Sequence, residues 1–124
     1  MPHVIVHYSA NLTALDQLNL LKDLNTVLLK TELFSVNDIK SRVFKDEVFL
    51  VGLGQAQEAY LHLKLYLLDG RTDAQKQGLG EALLRKLEQQ TYFKSVPQFP
   101  IQLCVEMIDI PKQNYFKAMI QNDH

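Results

Sequence analysis

The spacing of apolar positions changes period several times along the chain, and each change marks an element. From Pro2 to Tyr8 the residues are β-branched and aromatic and alternate. Val4, Val6 and Tyr8 fall on one face and His3, Ile5 and His7 on the other, which predicts a strand. Proline at its first residue removes no mid-strand ladder bond. Residues 12–30 shift to helical spacing, with Ala14, Leu18, Leu21, Leu24 or Asn25, and Leu28 as the apolar stripe and Thr13 as candidate N-cap. A turn over 31–38 leads into residues 39–52, read as a strand that can bend around Lys45-Asp46-Glu47, then a turn over Gly52–Gln55. Residues 59–68 alternate without a break, with Leu61, Leu63, Leu65 and Leu67 opposite Tyr60, His62, Lys64 and Tyr66. After the turn Asp69-Gly70-Arg71, Thr72 and Gln75 form a T-x-x-Q capping box for a helix reaching about Gln90, with Leu79, Leu83 and Leu87 inward. Gly78 and Gly80 inside it cost about 1 kcal/mol each against alanine, which close helix–sheet or subunit packing would offset. Pro97 and Pro100 mark a loop, residues 101–109 a last strand, and a short tail closes the chain.

The order is β-α-β twice, with corresponding elements offset by about sixty residues. Each unit crosses over right-handedly, so its two strands are parallel. The expected architecture is α+β: one domain, residues 1–124, of two halves at about 2–55 and 56–110 plus a tail at 111–124. It forms a four-stranded sheet with two helices on one face. The second sheet face then has no cover from its own chain, which points to packing against other subunits.

Composition narrows the picture. A 14.3 kDa monomer exposes roughly 6,800 Å² of the about 21,000 Å² of its unfolded chain, enough burial for a core without staples. Apolar residues at 47% and charged residues at 22% exclude a disordered chain. A net charge of -1 without a basic run argues against a nucleic-acid partner. One cysteine, Cys104, excludes an intrachain disulfide and a Cys-rich metal site, and fits reducing, cytoplasmic surroundings. The N-terminus lacks the features of a signal peptide, and no apolar run reaches a membrane-spanning length.

Few residues carry chemistry. Gly52-x-Gly54 follows a strand but has Gln57 at the third glycine position and no helix behind it, so it is not a dinucleotide fingerprint. His3 and His7 share a strand face roughly 13 Å apart, too far to hold one metal ion, and His62 stands alone as a polar-face or interface histidine. Cys104 reads as a core or interface thiol. Pro2 is different. Once Met1 is removed it is a free secondary amine, and burial and nearby cations push such a group toward the neutral, proton-accepting form. Arg71, in the turn after the plainest strand, and Arg42, with Lys40 at a strand start, are candidate carboxylate-binding groups.

Pro2-His3-x-Ile5-Val6, Ser41-Arg42-Val43, and His62 followed by Gly70-Arg71 resemble the 5-carboxymethyl-2-hydroxymuconate Δ-isomerase family of the tautomerase superfamily. The resemblance extends through Asn114-Tyr115-Phe116-Lys117. It implies a trimer of duplicated βαβ units with their sheets inward, Pro2 as catalytic base, and Arg42, Arg71 and Lys40 as substrate-binding residues. It further implies unsaturated 2-hydroxy or 2-keto polycarboxylic acids from aromatic-ring catabolism as substrates, and no metal or organic cofactor. Lys40 stands where the family pattern has arginine, and Phe44 where it has histidine. The alternatives are other chemistry of the same superfamily and a non-catalytic trimeric binding protein on the same scaffold.

Overall fold

The computed structural model of the chain describes residues 1–122. Strand β1 (His3–Ser9) is followed by helix α1 (Gln17–Lys30), strands β2 (Lys40–Asp46) and β3 (Ala59–Leu68), helix α2 (Asp73–Glu88) and strand β4 (Ile101–Ile110). The four strands form one sheet in the order β2-β1-β3-β4. β1 pairs parallel with β2 and β3 parallel with β4, while β1 and β3, which join the two halves, are antiparallel. This is the α+β fold expected from the sequence, with parallel pairs inside each β-α-β unit.

The alternation in β1 and β3 determines which face is buried. Val4, Val6 and Tyr8 of β1 and Leu61, Leu63, Leu65 and Leu67 of β3 are buried against Leu20, Leu24 and Leu28 of α1 and Leu79, Leu83 and Leu87 of α2. Each fully buried leucine contributes about 1.5–3 kcal/mol of transfer free energy, so this single layer holds the sheet and both helices together. His3, Ile5 and His7, with Tyr60, His62, Lys64 and Tyr66, lie on the opposite face and are only half-buried.

Two boundaries and the phase of one helix differ from the sequence reading. α1 begins at Gln17, and its N-cap is Asp16, whose carboxylate accepts from the Asn19 N–H; Thr13 is not the cap. Residues 10–15 pack on their own: Leu12 and Leu15 are in the core, and Leu15 bridges to Phe93. The inward stripe therefore runs through Leu20, Leu24 and Leu28, and Leu18 is 62% exposed. The second strand ends at Asp46 rather than continuing to 52; residues 47–57 form a loop whose Gly54, at φ 76°, closes a turn with its N–H on Val51 O at 3.0 Å. The capping box of α2 is present in full. Its two glycines are not sites of close helix–sheet packing: a Cβ at Gly78 would meet nothing within 4 Å, and at Gly80 only the Met107 side chain at 3.8 Å.

Removing the Asp16 carboxylate with Asp16→Ala is expected to lower stability by about 0.5–2 kcal/mol, the usual cost of an N-cap. Thr13→Ala, at an exposed position, should change it by less than about 0.5 kcal/mol. Urea denaturation of both variants checks the assignment, and equal losses would overturn it.

Candidate active site

The start of β1 brings the candidate residues together. Pro2 is buried, and its carbonyl accepts from the Lys40 N–H at 3.1 Å. The parallel register then sets Lys40 beside His3 and Arg42 beside Ile5. Because β3 runs the other way, Tyr66 lies opposite His3, and the end of β3 with the turn to Arg71 falls at the Pro2 end of the sheet. Gly70 makes that turn at φ 112°, a conformation that disfavours a side chain, and a Cβ there would sit 3.3 Å from Lys112 Nζ. β4 ends at the same edge, so the tail that follows it reaches the same region.

Two side-chain links tie that tail across the N-terminus. Arg42 Nη1 lies 3.2 Å from His3 Nδ1, and His3 Nε2 lies 3.0 Å from the Tyr115 hydroxyl. A guanidinium can only donate, so Nδ1 is the acceptor of the first bond. Lys117 Nζ donates to Asp38 Oδ1 at 3.1 Å, and Lys40 Nζ donates to the Asp38 carbonyl at 3.0 Å. Burial, and then the Lys40 and Lys117 ammonium groups, hold the terminal amino group below its ordinary value, opposed only by Asp38. Burial and then the Arg42 guanidinium likewise hold His3 below the ordinary histidine value. The hydrogen bond and charge of Lys117 keep the Asp38 carboxyl low in turn. The region is cationic, and what it can do chemically is hold an anion beside a desolvated amine.

Arg71 stands apart from this cluster. Its guanidinium lies over the Phe34 ring, 4.8 Å from the centroid, and its Nε is buried with no hydrogen-bond partner. Neither Arg42 nor Arg71 forms an ion pair among the described residues. Pro2, Lys40 and Arg42 are thus neighbours, and Arg71 shares their end of the sheet. The sequence reading missed His3, Asp38, Tyr115 and Lys117. There His3 is weighed as a metal ligand and stands in the Pro2-His3-x-Ile5-Val6 motif, and Tyr115 and Lys117 stand in the Asn114–Lys117 motif, none of them with a role at the site.

The far end of the open face carries a separate network. Asp46 accepts from His7 Nδ1 at 2.9 Å and from the Tyr60 hydroxyl at 2.5 Å. Burial and then Asp46 push the Tyr60 hydroxyl up to about 12. His62 bonds Glu106 at 2.8 Å, as suits a polar-face histidine, and Cys104 is exposed on β4 rather than in the core.

Solved structures sharing this architecture define the class. The chain superposes on a 5-carboxymethyl-2-hydroxymuconate isomerase from Deinococcus radiodurans R1 with a TM-score of 0.82 at 25% identity, covering 94% of this chain and 88% of that one. A 5-carboxymethyl-2-hydroxymuconate delta-isomerase gives 0.78 at 18% identity, covering 96% and 88%, and a fused 4-OT symmetric trimer 0.64 at 22%, covering 94% and 91%. The fold is that of the tautomerase superfamily, and the chain is an isomerase of that class. A family model matching residues 2–123 makes the assignment specific: the chain belongs to the 5-carboxymethyl-2-hydroxymuconate isomerase family. No curated protein matches it. No helix among the described residues is long and apolar enough to cross a membrane.

The depressed His3 makes folding pH-dependent with a definite sign. Below the ordinary histidine value of 6.5 the unfolded chain takes up a proton that the folded chain does not. Stability is therefore expected to fall as pH drops from that value toward the folded one. Denaturation midpoints of the wild type and His3→Asn across this window check it; the variant should show a flatter profile.

Proposed function

We propose that the chain, once Met1 is removed, catalyses proton transfer within an unsaturated 2-hydroxy or 2-keto polycarboxylic acid of the 5-carboxymethyl-2-hydroxymuconate type, with the Pro2 amine as general base. The observation that carries this reading is the buried Pro2 at the centre of a cationic cluster. Burial, Lys40 and Lys117 already depress an amino group attached at this point, and an amine on Pro2 itself would stand in the same surroundings. In its neutral form it takes a proton from a carbon or enol hydroxyl of the conjugated acid, a dienolate forms, and the prolinium returns the proton further along the chain. One amine serves both steps, because the reacting carbons are only ångströms apart. Lys40, Arg42 and Arg71 bind the carboxylates and stabilise the oxyanion. The unpartnered Nε of Arg71 supports its share in this, since a substrate oxygen would satisfy it.

The working form in this reading is a homotrimer. The chain alone exposes 7989 Å², against roughly 6,800 Å² expected for a monomer of its mass. The chain also leaves apolar groups uncovered: Val48 at 97% and Leu53 at 84% exposed in the loop after β2, and Phe116 at 90% in the tail. The fused 4-OT relatives are symmetric trimers, which agrees with closing such surfaces by rotation.

The decisive experiment compares processed protein, verified by intact mass, with protein retaining Met1, on 2-hydroxymuconate-type acids followed by ultraviolet absorbance. The processed form should be active and the Met1-bearing form inactive, because an amide nitrogen has no usable basicity. kcat/KM should rise with pH as an essential base loses its proton, below the about 7.7–8 of an ordinary terminal amine. Equal turnover by both forms would remove Pro2 from the mechanism.

Arg71→Ala is expected to reduce transition-state binding by about 1.5–3 kcal/mol, the range for a hydrogen bond to a charged group. Its stability should also drop by about 0.5–1 kcal/mol, because the guanidinium packs on Phe34 and is not the free surface charge a turn position suggests. An unchanged kcat/KM in the variant would place Arg71 outside the site.

A further inference from the structure

Tyr115 is bonded in a way that fixes the direction of its own proton. Arg42 donates to His3 Nδ1 at 3.2 Å, so that nitrogen presents its lone pair. An imidazole that accepts at Nδ1 carries its ring proton on Nε2, and burial and the same guanidinium disfavour a second proton. Nε2–H therefore donates to the Tyr115 oxygen at 3.0 Å. The tyrosine hydroxyl cannot donate back along that line and must direct its hydrogen elsewhere. No side chain or carbonyl accepts it among the described residues. The hydroxyl is held in this position from both sides. The tail is anchored beyond it by Lys117 on Asp38 and before it by the Lys112 N–H on Asp69 Oδ1 at 3.2 Å. The ring meets His3 edge-on, with centroids 6.0 Å apart.

We propose that Tyr115 is a substrate-contacting residue whose hydroxyl donates a hydrogen bond to the 2-oxo (or enolic 2-hydroxy) oxygen of the substrate, with His3 as the residue that positions it. This rests on the reading of the Pro2 end as the active site and extends it to the group that recognises the reacting oxygen. The groups already assigned there, Lys40, Arg42 and Arg71, are all cations and match carboxylates. A neutral donor suits the remaining oxygen, which carries little charge in the substrate and full charge in the dienolate. The bond therefore strengthens as the proton leaves carbon, and it is a transition-state interaction rather than uniform binding. The tyrosine keeps its proton throughout, so the transfer to and from Pro2 stays balanced.

The test uses processed full-length protein. Tyr115→Phe keeps the ring and removes the hydroxyl. kcat on a conjugated 2-oxo acid should fall roughly 10- to 100-fold with little change in KM. Inhibition by a saturated dicarboxylate lacking the 2-oxo group should keep the same Ki, because that molecule has no oxo oxygen at the position the hydroxyl reaches. His3→Leu, which leaves the tail ring intact but removes its donor, should reproduce the kcat loss. An unchanged kcat in Tyr115→Phe overturns the proposal. So does a loss that appears equally in dicarboxylate Ki, which would mark Tyr115 as an anchor of the tail only. Full turnover by His3→Leu overturns the positioning role of His3. A processed wild type without turnover of any conjugated oxo acid would instead refute the reading of the site itself, separately from Tyr115.

Discussion

The hydrogen bond from the Lys40 N–H to the Pro2 carbonyl, 3.1 Å long, opens the β1–β2 ladder, and the placement of the site follows from it. Side chains in a strand alternate faces, so a slip of one residue would turn every side chain of β2 to the opposite side. In the observed register Lys40 and Arg42 lie on the His3 face, while Val43 opposes Val6 over the core. A shifted register would bury the guanidinium against leucines at a cost of several kcal/mol and expose Val43. The hydrophobic layer thus holds the cations at the N-terminus, although none of them touches that layer's centre. β1, flanked by β2 and β3, has no free edge, and this makes a reactive position on its first residue a rigid one.

Charge at that end is arranged around one carboxylate. Asp38 takes Lys117 on its side chain and Lys40 on its carbonyl, so two ammonium groups converge on a turn that also lies beside the N-terminus. The Asp38 carboxylate pairs with Lys117, while Lys40 and Arg42 bond neutral acceptors and keep their charge unpaired among the described residues. Lysine at position 40 fits this arrangement. A flexible stem can reach back to the Asp38 carbonyl, whereas a planar guanidinium favours a forked partner. Exposed pairs such as Lys117–Asp38 contribute little to stability, about 0–1 kcal/mol, so their value here lies in placing the tail.

The two strands with strict alternation and the capping box at Thr72–Gln75 were legible because each is a local pattern with one physical solution. The start of α1 was not. Leucines at 15, 18, 20, 21, 24, 28 and 29 satisfy several helical phases at once, and only the packing of Leu12 and Leu15 beneath the sheet selects one of them. Phe49, Leu50 and Val51 have strand-like composition, but β1 ends at Ser9 opposite Asp46 and offers no further partner. Pro2, Lys40 and Arg42 were legible as a group because strand register brings near neighbours together. His3 and Tyr115 were not, because 112 residues separate them and their contact exists only once β4 has delivered the tail. Arg71 was legible as a residue but not in its surroundings, since nothing in the turn sequence points to Phe34.

The open sheet face bears on the proposed assembly in a way that its composition alone does not suggest. It carries ionisable groups, which argues at first against burial, because an unpaired charge taken from water costs several kcal/mol. Yet away from the Pro2 end most polar groups of the face are already paired across strands, His7 and Tyr60 on Asp46 and His62 on Glu106, and Lys64 is the charged side chain there without a partner among the described residues. A covering subunit therefore has few free hydrogen-bonding groups to strip of water there. The apolar loop after β2 overhangs this face: Leu50, Val51 and Gly52 line a cavity of about 360 Å³ with Tyr60, His62 and Cys104. A face of prepaired polar groups beside uncovered apolar ones costs little to desolvate and gains from contact, which is the balance a subunit interface needs. The same pairing leaves Lys64 and the cationic Pro2 end as the parts of the face with unmet hydrogen-bonding capacity, so an assembly that covers the paired far end leaves anion binding to the Pro2 end.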